Sequence, residues 1–563
     1  MQMNPEKTLS EKHLFYLAFF CLLMTQIFFI WTGIRGVNFG FHWDEYRIIR
    51  TVERVFLTGT ILPQEYYYPS MSFNLALLAL TPEWVLFLKE HFRQWKAPGP
   101  EESFALSHSE LTKHYQSFAS VENINKIGKF IASETFSHRL RSIYIILTSF
   151  TGWWIFFTLY HFRRKIFESL LGGILVLSSW EVAYHSRWAM PDTLQIQFAA
   201  LTMMCVTFAL NNKTEKSFQW LSLGTIGAAC NCASKYHGGV FLLMTCLATF
   251  YLGKKQAIPT VVIFKKIFKL LILFSFSFFL LCPGILLQPL NFFDDLASRI
   301  VNYSLGHGGY TVQPFWEHGE LLILYLSQVL FSSYSPIALF FFVFSFFGVY
   351  TSWKSDRWGT AILLSSPLIF FLYIITNKVM IVRNDLQIVP ILAFLSAIGL
   401  GELREKISKR FFKISFEVLL GILLFFNIYW LYYTSETIAK SSEIDFIHNI
   451  ESHLKTHSNQ KFFLSHSVFK NLESHYPSNL SQAFPNIVTA SQEADSYLFL
   501  LFEAFAANEN DWVKLKANRQ YIYQMVSGTY DVNLTYYPTW AASHKLMVIS
   551  ISQALEMGIL QHQ

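Results

Sequence analysis

The chain has 563 residues, 52% hydrophobic and only 15% charged, against the roughly 25% charged residues of a soluble chain. With 57 phenylalanines and a mean hydropathy of +0.32, it excludes an ordinary water-soluble domain and points to lipid as the main solvent. The net charge of +6 does not indicate nucleic acid, because the basic residues sit in short clusters between apolar runs, where they act as a membrane orientation signal.

The first apolar run, 14–34, is 21 residues long, enough for the about 20 that a bilayer core requires. It lacks a small-residue cleavage site and is expected to be a retained anchor. Ten further runs follow near 138–160, 167–184, 192–210, 218–234, 237–253, 268–287, 330–350, 359–376, 386–401 and 415–433. The apolar stretch 71–88 is broken by "TPEW" and reads as an amphipathic helix in the interface. The hydrophilic loop 89–137 contains a helical pattern, "SFALSHSELTKHYQSF". The tail 434–563 differs in kind: it is polar, with β-like runs "KFFLSH", "SYLFLLF" and "KLMVISI" between helical stretches. The expected fold is therefore mainly α: a polytopic bundle of about eleven spans over 1–433, and a small α/β domain over 434–563.

Orientation follows from the short loops. Those at 161–165, 211–216, 253–269, 353–357 and 402–413 carry 17 lysines and arginines, and the opposite loops hold far fewer. This predicts a cytoplasmic N-terminus, with the loop 35–137 and the tail outside. All six cysteines lie in or at the ends of apolar runs, so neither a disulfide framework nor a structural zinc is expected.

On this topology the unusual polar residues gather on one side. Asp44 and Glu45 follow the first span; Arg187 and Asp192 sit in "YHSRWAMPD"; Lys235 is in "CASKYHGG". His307 lies among glycines, and Lys378 and Arg383 flank "NKVMIVRND". Taken singly, each has a plainer reading: a solvated acidic pair, a snorkelling arginine, an aspartate favouring a helix N-terminus, tyrosines in an aromatic belt. Several ionisable groups converging from separate spans at membrane depth point instead to one site.

Five segments in order carry a resemblance: "HWDE" (42–45), "YYYPSMSFNLALL" (66–78), "SRWAMPDTLQIQFAAL" (186–201), "GAACNCASKYHGGVFLL" (227–243) and "RNDLQIVPILAFLSAIGL" (383–400). The sequence resembles the GT-C superfamily of multispanning glycosyltransferases, in the branch of the protein O-mannosyltransferases and lipid A aminoarabinose transferases. The resemblance implies an inverting transfer of a sugar from a polyprenyl-phosphate carrier to a glycan, lipid or protein acceptor. It is expected at the outer face of the membrane, the bacterial cytoplasmic membrane being preferred to the endoplasmic reticulum.

An acceptor hydroxyl or amine needs a carboxylate to take its proton, and Asp44 is the chosen base, with Glu45 second. The departing phosphate needs fixed cations; Arg383 and Lys235 are favoured, then Arg187, with His307 and Lys378 also available. Asp192 is expected to orient a cation or an acceptor. Tyr67 and Tyr68 are expected to pack a sugar ring or place the acceptor. No cofactor is expected; a divalent metal stays open, but no residue set points to one. The tyrosine segment lacks the charges of the aminoarabinose transferases, which puts that substrate in doubt. The rival classes are a transporter or flippase, which would show inverted repeats or broken helices with midplane charges, and a non-catalytic scaffold.

Overall fold

The computed structural model describes residues 5–35, 37, 43–58, 62–83, 85, 127–131, 133–212, 216–306, 311–332, 334–442, 446–475, 480–500, 546–556 and 560. The helical pattern expected within 89–137 and the position of His307 lie outside these residues.

Helices dominate. The first, α1 (Pro5–Arg35), is followed by α2 (Trp43–Thr58), α3 (Met71–Ala79), α4 (Glu134–Ser149), α5 (Thr151–Arg163), α6 (Ile166–Leu177) and α7 (Trp180–His185). Next come α8 (Pro191–Asn211), α9 (Lys216–Ser234), a 3₁₀ turn over Tyr236–Phe241 leading into α10 (Leu242–Lys255), and α11 (Thr260–Leu281). The bundle continues through α12 (Pro289–Leu305), α13 (Trp316–Val329), α14 (Ser335–Ser355), α15 (Arg357–Ile375), α16 (Val389–Lys406) and α17 (Arg410–Ser442).

Each of the eleven apolar runs coincides with helix, but only eight described stretches are long and apolar enough to cross a membrane. These are Lys12–Arg35, Thr135–Arg163, Pro191–Asn211, Tyr236–Lys255, Ser335–Ser355, Arg357–Ile375, Arg383–Lys406 and Arg410–Tyr433. The other three fall short for separate reasons. Helix α6 has 12 residues because the chain turns at Ser178 and restarts as α7. Helix α9 is diluted by Ser217, Gln219, Thr225 and Asn231, and α11 carries Lys265, Lys266 and Lys269 in its first half.

Helix ends obey local chemistry. Pro191 opens α8 with Asp192 in its first turn, where a missing N–H costs nothing and a carboxylate suits the positive end of the helix. The Asp356 carboxylate caps α15 by accepting from the Gly359 N–H at 3.0 Å. Helices α14 and α16 approach closely: a Cβ at Gly348 would strike the Leu395 carbonyl, and one at Gly399 the Phe344 carbonyl. Small residues at such a crossing let two backbones meet where lipid gives no hydrophobic drive between helices.

A continuous core runs through the spans, with Trp188, Phe331, Phe341 and Phe394 fully buried. A second cluster joins Ile48, Val52 and Val55 of α2 to Tyr66, Leu140, Tyr144 and Leu194. The apolar face of the short α2 is thus packed against two membrane helices.

The polar tail forms a sheet of order β2-β1-β3-β4, from β1 (Phe462–Leu464), β2 (Ile487–Val488), β3 (Ser496–Leu500) and β4 (Leu546–Ser550). β1 is parallel to both β2 and β3, and β3 is antiparallel to β4. The three β-like runs are strands; β2 is too short to show a period. Helix α17 continues to Ser442, past the boundary expected at 434. One face of the sheet packs with helices α18 (Phe446–Thr456) and α19 (His466–His475), and Tyr497, Phe499 and Ile549 join the core of the bundle.

Candidate active site

The site is built where several helices begin or end at one membrane border. Lys235, the residue after α9, is buried and donates from Nζ to Asp192 Oδ1 at 2.7 Å. The same ammonium meets the Asn384 side-chain oxygen. Arg383 Nε stands 3.7 Å from Asp192 Oδ2 on the other side. Burial pulls the Lys235 ammonium down, but Asp192, Tyr303 and Tyr68 together outweigh it, and the net value is raised above that of an ordinary lysine.

The cluster continues outward and inward. Asn384 donates to the Tyr303 hydroxyl at 3.1 Å. Gln195, one turn into α8, reaches the Gln387 side chain at 3.4 Å and contacts His237 at 3.1 Å. Asp385 is buried beside this network within reach of the charges of Lys235 and Asp192, and neither of its carboxylate oxygens has a hydrogen-bond partner.

The acidic pair of the first loop is helical. Asp44 and Glu45 stand in the first turn of α2, so the segment is a helix and not an extended strand. Glu45 is buried in a bidentate pair with Arg141 of α4: Nε donates to Oε1 at 2.8 Å and Nη2 to Oε2 at 2.6 Å. Arg141 also donates to the Val37 carbonyl at 2.7 Å. The Asp44 side chain lies outside the described residues, and its place on α2 is what the structure gives. The charges of Glu45 and Asp192 both act on the Tyr144 hydroxyl, which puts the start of α2 near the Lys235 cluster.

The tyrosine segment closes the other side. Tyr66 donates its N–H to Asp295 at 2.6 Å and its hydroxyl to Gln288 at 2.8 Å; its carbonyl accepts from Tyr236 at 2.7 Å. The Arg299 guanidinium lies 4.0 Å from the ring centre of Tyr67 and 4.7 Å from that of Tyr68, and Arg47 lies 4.6 Å from Tyr67. Asn302 donates to the Tyr67 hydroxyl at 3.0 Å. The hydrogen bond with Ser298, with help from Arg299, draws the Tyr67 phenol below its ordinary value, and burial pushes the neighbouring Tyr66 phenol up.

Of the residues singled out from the sequence, Asp192, Lys235 and Arg383 therefore meet directly. Tyr67 and Tyr68 join them through α12. Lys378 is exposed, its backbone paired with Tyr303. Arg187 is fully buried; it donates to the Ala183 carbonyl and feels the charge of Glu436 on α17, while burial pulls its guanidinium down to about 10. Sequence reasoning missed Arg141, Gln195, Arg299, Tyr303, Asn384 and Asp385. "RND" stood in a quoted segment, and its three polar residues ahead of an apolar run were the available signal. Arg141 gave none, because its role depends on a partner 96 residues away.

Among the described residues, no three His, Cys, Asp or Glu side chains gather in a way that could hold a metal ion. Residues 111–289 match the family model described as dolichyl-phosphate-mannose-protein mannosyltransferase. This protein is a membrane glycosyltransferase that uses a lipid-phosphate sugar donor. The matched segment of the glycosyltransferase includes Arg141, Arg187, Asp192 and Lys235 and leaves out Asp44, the tyrosine segment and Asn384.

A search of curated proteins gives no match. Among solved structures, the chain is similar to the apo oligosaccharyltransferase of Archaeoglobus fulgidus at 10% identity and a TM-score of 0.45, covering 87% of this chain and 71% of that one. The archaeal oligosaccharyltransferase AglB of the same organism, in complex with an inhibitory peptide and a dolichol-phosphate, gives 10% and 0.44, covering 89% and 72%. ArnT from Cupriavidus metallidurans bound to undecaprenyl phosphate gives 11% and 0.44, covering 75% and 71%.

Proposed function

We propose that this glycosyltransferase moves a single sugar from a polyprenyl-phosphate donor to a hydroxyl or amine of a glycan, lipid or protein acceptor. The transfer occurs at the extracytoplasmic face of the membrane, with inversion. The observation that carries the reading is the buried Lys235–Asp192–Asn384–Arg383 cluster at the border of the spans. Two cations fixed there suit a phosphate that gains charge as its bond to the sugar breaks.

In this reading the acceptor oxygen or nitrogen attacks the anomeric carbon from the face opposite the phosphate. The bond from that carbon to the phosphate oxygen breaks, and its electron pair stays on the phosphate. The acceptor proton passes to Asp44. Lys235 and Arg383 stabilise the leaving phosphate. Asp192 keeps both cations aimed and protonated before the donor arrives. Glu45 holds α2 in place through Arg141, which leaves Asp44 as the carboxylate for proton transfer. Lys378 and His307 would meet the donor from the outer loops, and the Tyr67 and Tyr68 rings would pack the sugar.

The test is Asp44→Asn in purified, folded form, with transfer followed by mass spectrometry of lipid-linked sugars and acceptors. A base contributes about 10²–10⁴-fold, so a loss in that range is expected. Full activity would remove Asp44 from the mechanism. Chelation followed by Mg²⁺ or Mn²⁺ addresses metal dependence, and activity is expected to be indifferent to both.

A further inference from the structure

Helix α12 has an apolar stripe that no described element covers. Leu290, Phe293, Ile300, Val301 and Leu305 fall on one side of the helix and are exposed, Leu290 by 83% and Leu305 by 73%. The opposite face carries Asp295, Arg299, Asn302 and Tyr303, which hold the tyrosine segment and Asn384.

Both ends of α12 are tied to the ends of long helices of the bundle. Its N-terminus follows α11, whose 22 residues reach bilayer length and whose lysines lie at the far end, after only Cys282–Gln288, where the Leu281 carbonyl accepts from Asn74. Near its C-terminus, the Tyr303 carbonyl accepts from the Lys378 N–H at 3.1 Å, three residues past the end of α15. A helix of 17 residues, about 26 Å long, pinned at both ends to span termini must run along the membrane border and not away from it. The exposed Leu286 and Leu287 extend the stripe back towards α11. Asp294 interrupts it one turn after Leu290, which suits a shallow seat at the headgroups better than insertion into hydrocarbon.

We propose that α12 is an interfacial helix whose apolar stripe docks on the bilayer, and that this seat clamps Tyr66 and Tyr67 over the Lys235 cluster. The seat is independent of the transfer chemistry; the clamp rests on the proposed function. The lipid surface, not a second copy, is the occupant because the stripe is continuous with the lipid-facing side of the bundle.

Hydroxyl-radical footprinting of the unsubstituted chain, in nanodiscs holding one chain each, tests the seat. After correction for intrinsic reactivity, Leu290, Phe293, Ile300 and Leu305 should be as protected as Phe346 and Phe347 of the span Ser335–Ser355. Oxidation several-fold above those two would overturn the seat, and a single chain per disc removes protection by a second copy. The double variant Ile300→Glu/Leu305→Glu tests the clamp. The apparent KM for the lipid-linked donor should rise at least about fivefold with kcat retained. An unchanged KM in a variant whose stripe has become oxidisable would overturn the clamp while leaving both the seat and the transfer reading in place.

Discussion

Replacing Arg141 by methionine removes the partner of a carboxylate that has nowhere to go. The side chains of Arg141 and Glu45 are 7% and 3% exposed, so water cannot replace the lost contact without opening the packing of α2 on α4. Three charge-assisted hydrogen bonds donated by Arg141 vanish, two to the Glu45 carboxylate and one to the Val37 carbonyl. Breaking one partner of such a pair costs about 3–5 kcal/mol, mostly because the remaining charge stays buried and uncompensated. At roughly 2.1 cal/mol/K of unfolding entropy per residue, 563 residues give about 1.2 kcal/mol/K, so the fall in apparent Tm is about 3–4 °C. A helix bundle in detergent keeps part of its helix on unfolding, which lowers that entropy and enlarges the shift.

The assay is a double-mutant cycle by thermal unfolding at one scan rate, since membrane bundles rarely refold reversibly. Arg141→Met and Glu45→Gln should each destabilise, and the double variant should recover about 1–3 kcal/mol relative to their sum. Additivity within about 0.5 kcal/mol would refute the claim that the two charges hold each other. The cycle also separates scaffold from chemistry. Glu45→Gln should leave a slower enzyme with the same pH profile if the proton goes to Asp44 as proposed; a shifted acidic limb would assign the proton to Glu45 instead.

Lys235→Ala should lower kcat by about 10²–10³-fold, the usual effect of removing one fixed donor from a developing anion, and a variant with wild-type turnover of donor would take Lys235 out of the phosphate site. Because the Lys235 ammonium titrates above an ordinary lysine in the folded chain, its contribution to stability is complete below about pH 10.4 and is lost only as pH rises through the higher folded value; an alkaline scan should therefore show no Lys235-dependent loss of apparent Tm between pH 7 and 10, and a loss there that disappears in Lys235→Ala would reverse the sign. Gly348→Ala should destabilise by about 1–3 kcal/mol in a thermal scan, because its new methyl meets the Leu395 backbone, whereas Gly421→Ala on α17, with nothing within 4 Å, should be neutral or stabilising by up to about 1 kcal/mol.

What could be seen in advance divides along lines of physics. Apolar runs long enough to cross a bilayer announce themselves, and every one became helix. Eight described stretches have the length and apolarity of a span; the others fall short where a run was broken by a turn at Ser178, diluted by polar residues in Lys216–Ser234, or charged at Lys265, Lys266 and Lys269. The strands of the tail were legible from five-residue runs such as Ser496–Leu500; Ile487–Val488 was not, since two residues carry no period. In the site, an intramembrane aspartate and lysine draw suspicion on cost alone, and Asp192 and Lys235 do meet at 2.7 Å. Arg141 and Asn384 could not be paired with Glu45 and Lys235 without the packing. The surroundings of Arg187 were hidden for the same reason: nothing local to "HSRW" says that its guanidinium donates to the Ala183 carbonyl and feels the charge of Glu436.

A second charged layer shows why the site sits where it does. At the far end of the bundle, Lys165 Nζ reaches Glu405 at 2.7 Å and the buried Glu168 at 3.3 Å, Arg163 Nε reaches Glu168 at 3.3 Å, and Arg404 reaches Glu417 at 2.7 Å. Helix α16 connects the two layers: it leaves the Arg383–Asn384–Asp385 turn at one end and delivers Glu402, Arg404 and Glu405 at the other. Its 18 residues span about 27 Å, close to the roughly 30 Å thickness of a bilayer core. Both charged layers therefore lie at membrane borders, and the hydrocarbon between them is crossed by α16 with Leu395, Ala397, Ile398 and Leu400 buried against α14 and α5. The far layer pairs opposite charges with each other, several of them partly exposed, as a border needs. The near layer holds the buried Asp192 between two cations, and Asp385, whose oxygens have no hydrogen-bond partner among the described residues. A buried carboxylate left underpaired, as Asp385 is, costs stability, which supports the proposed function's placing of the substrate at the near layer.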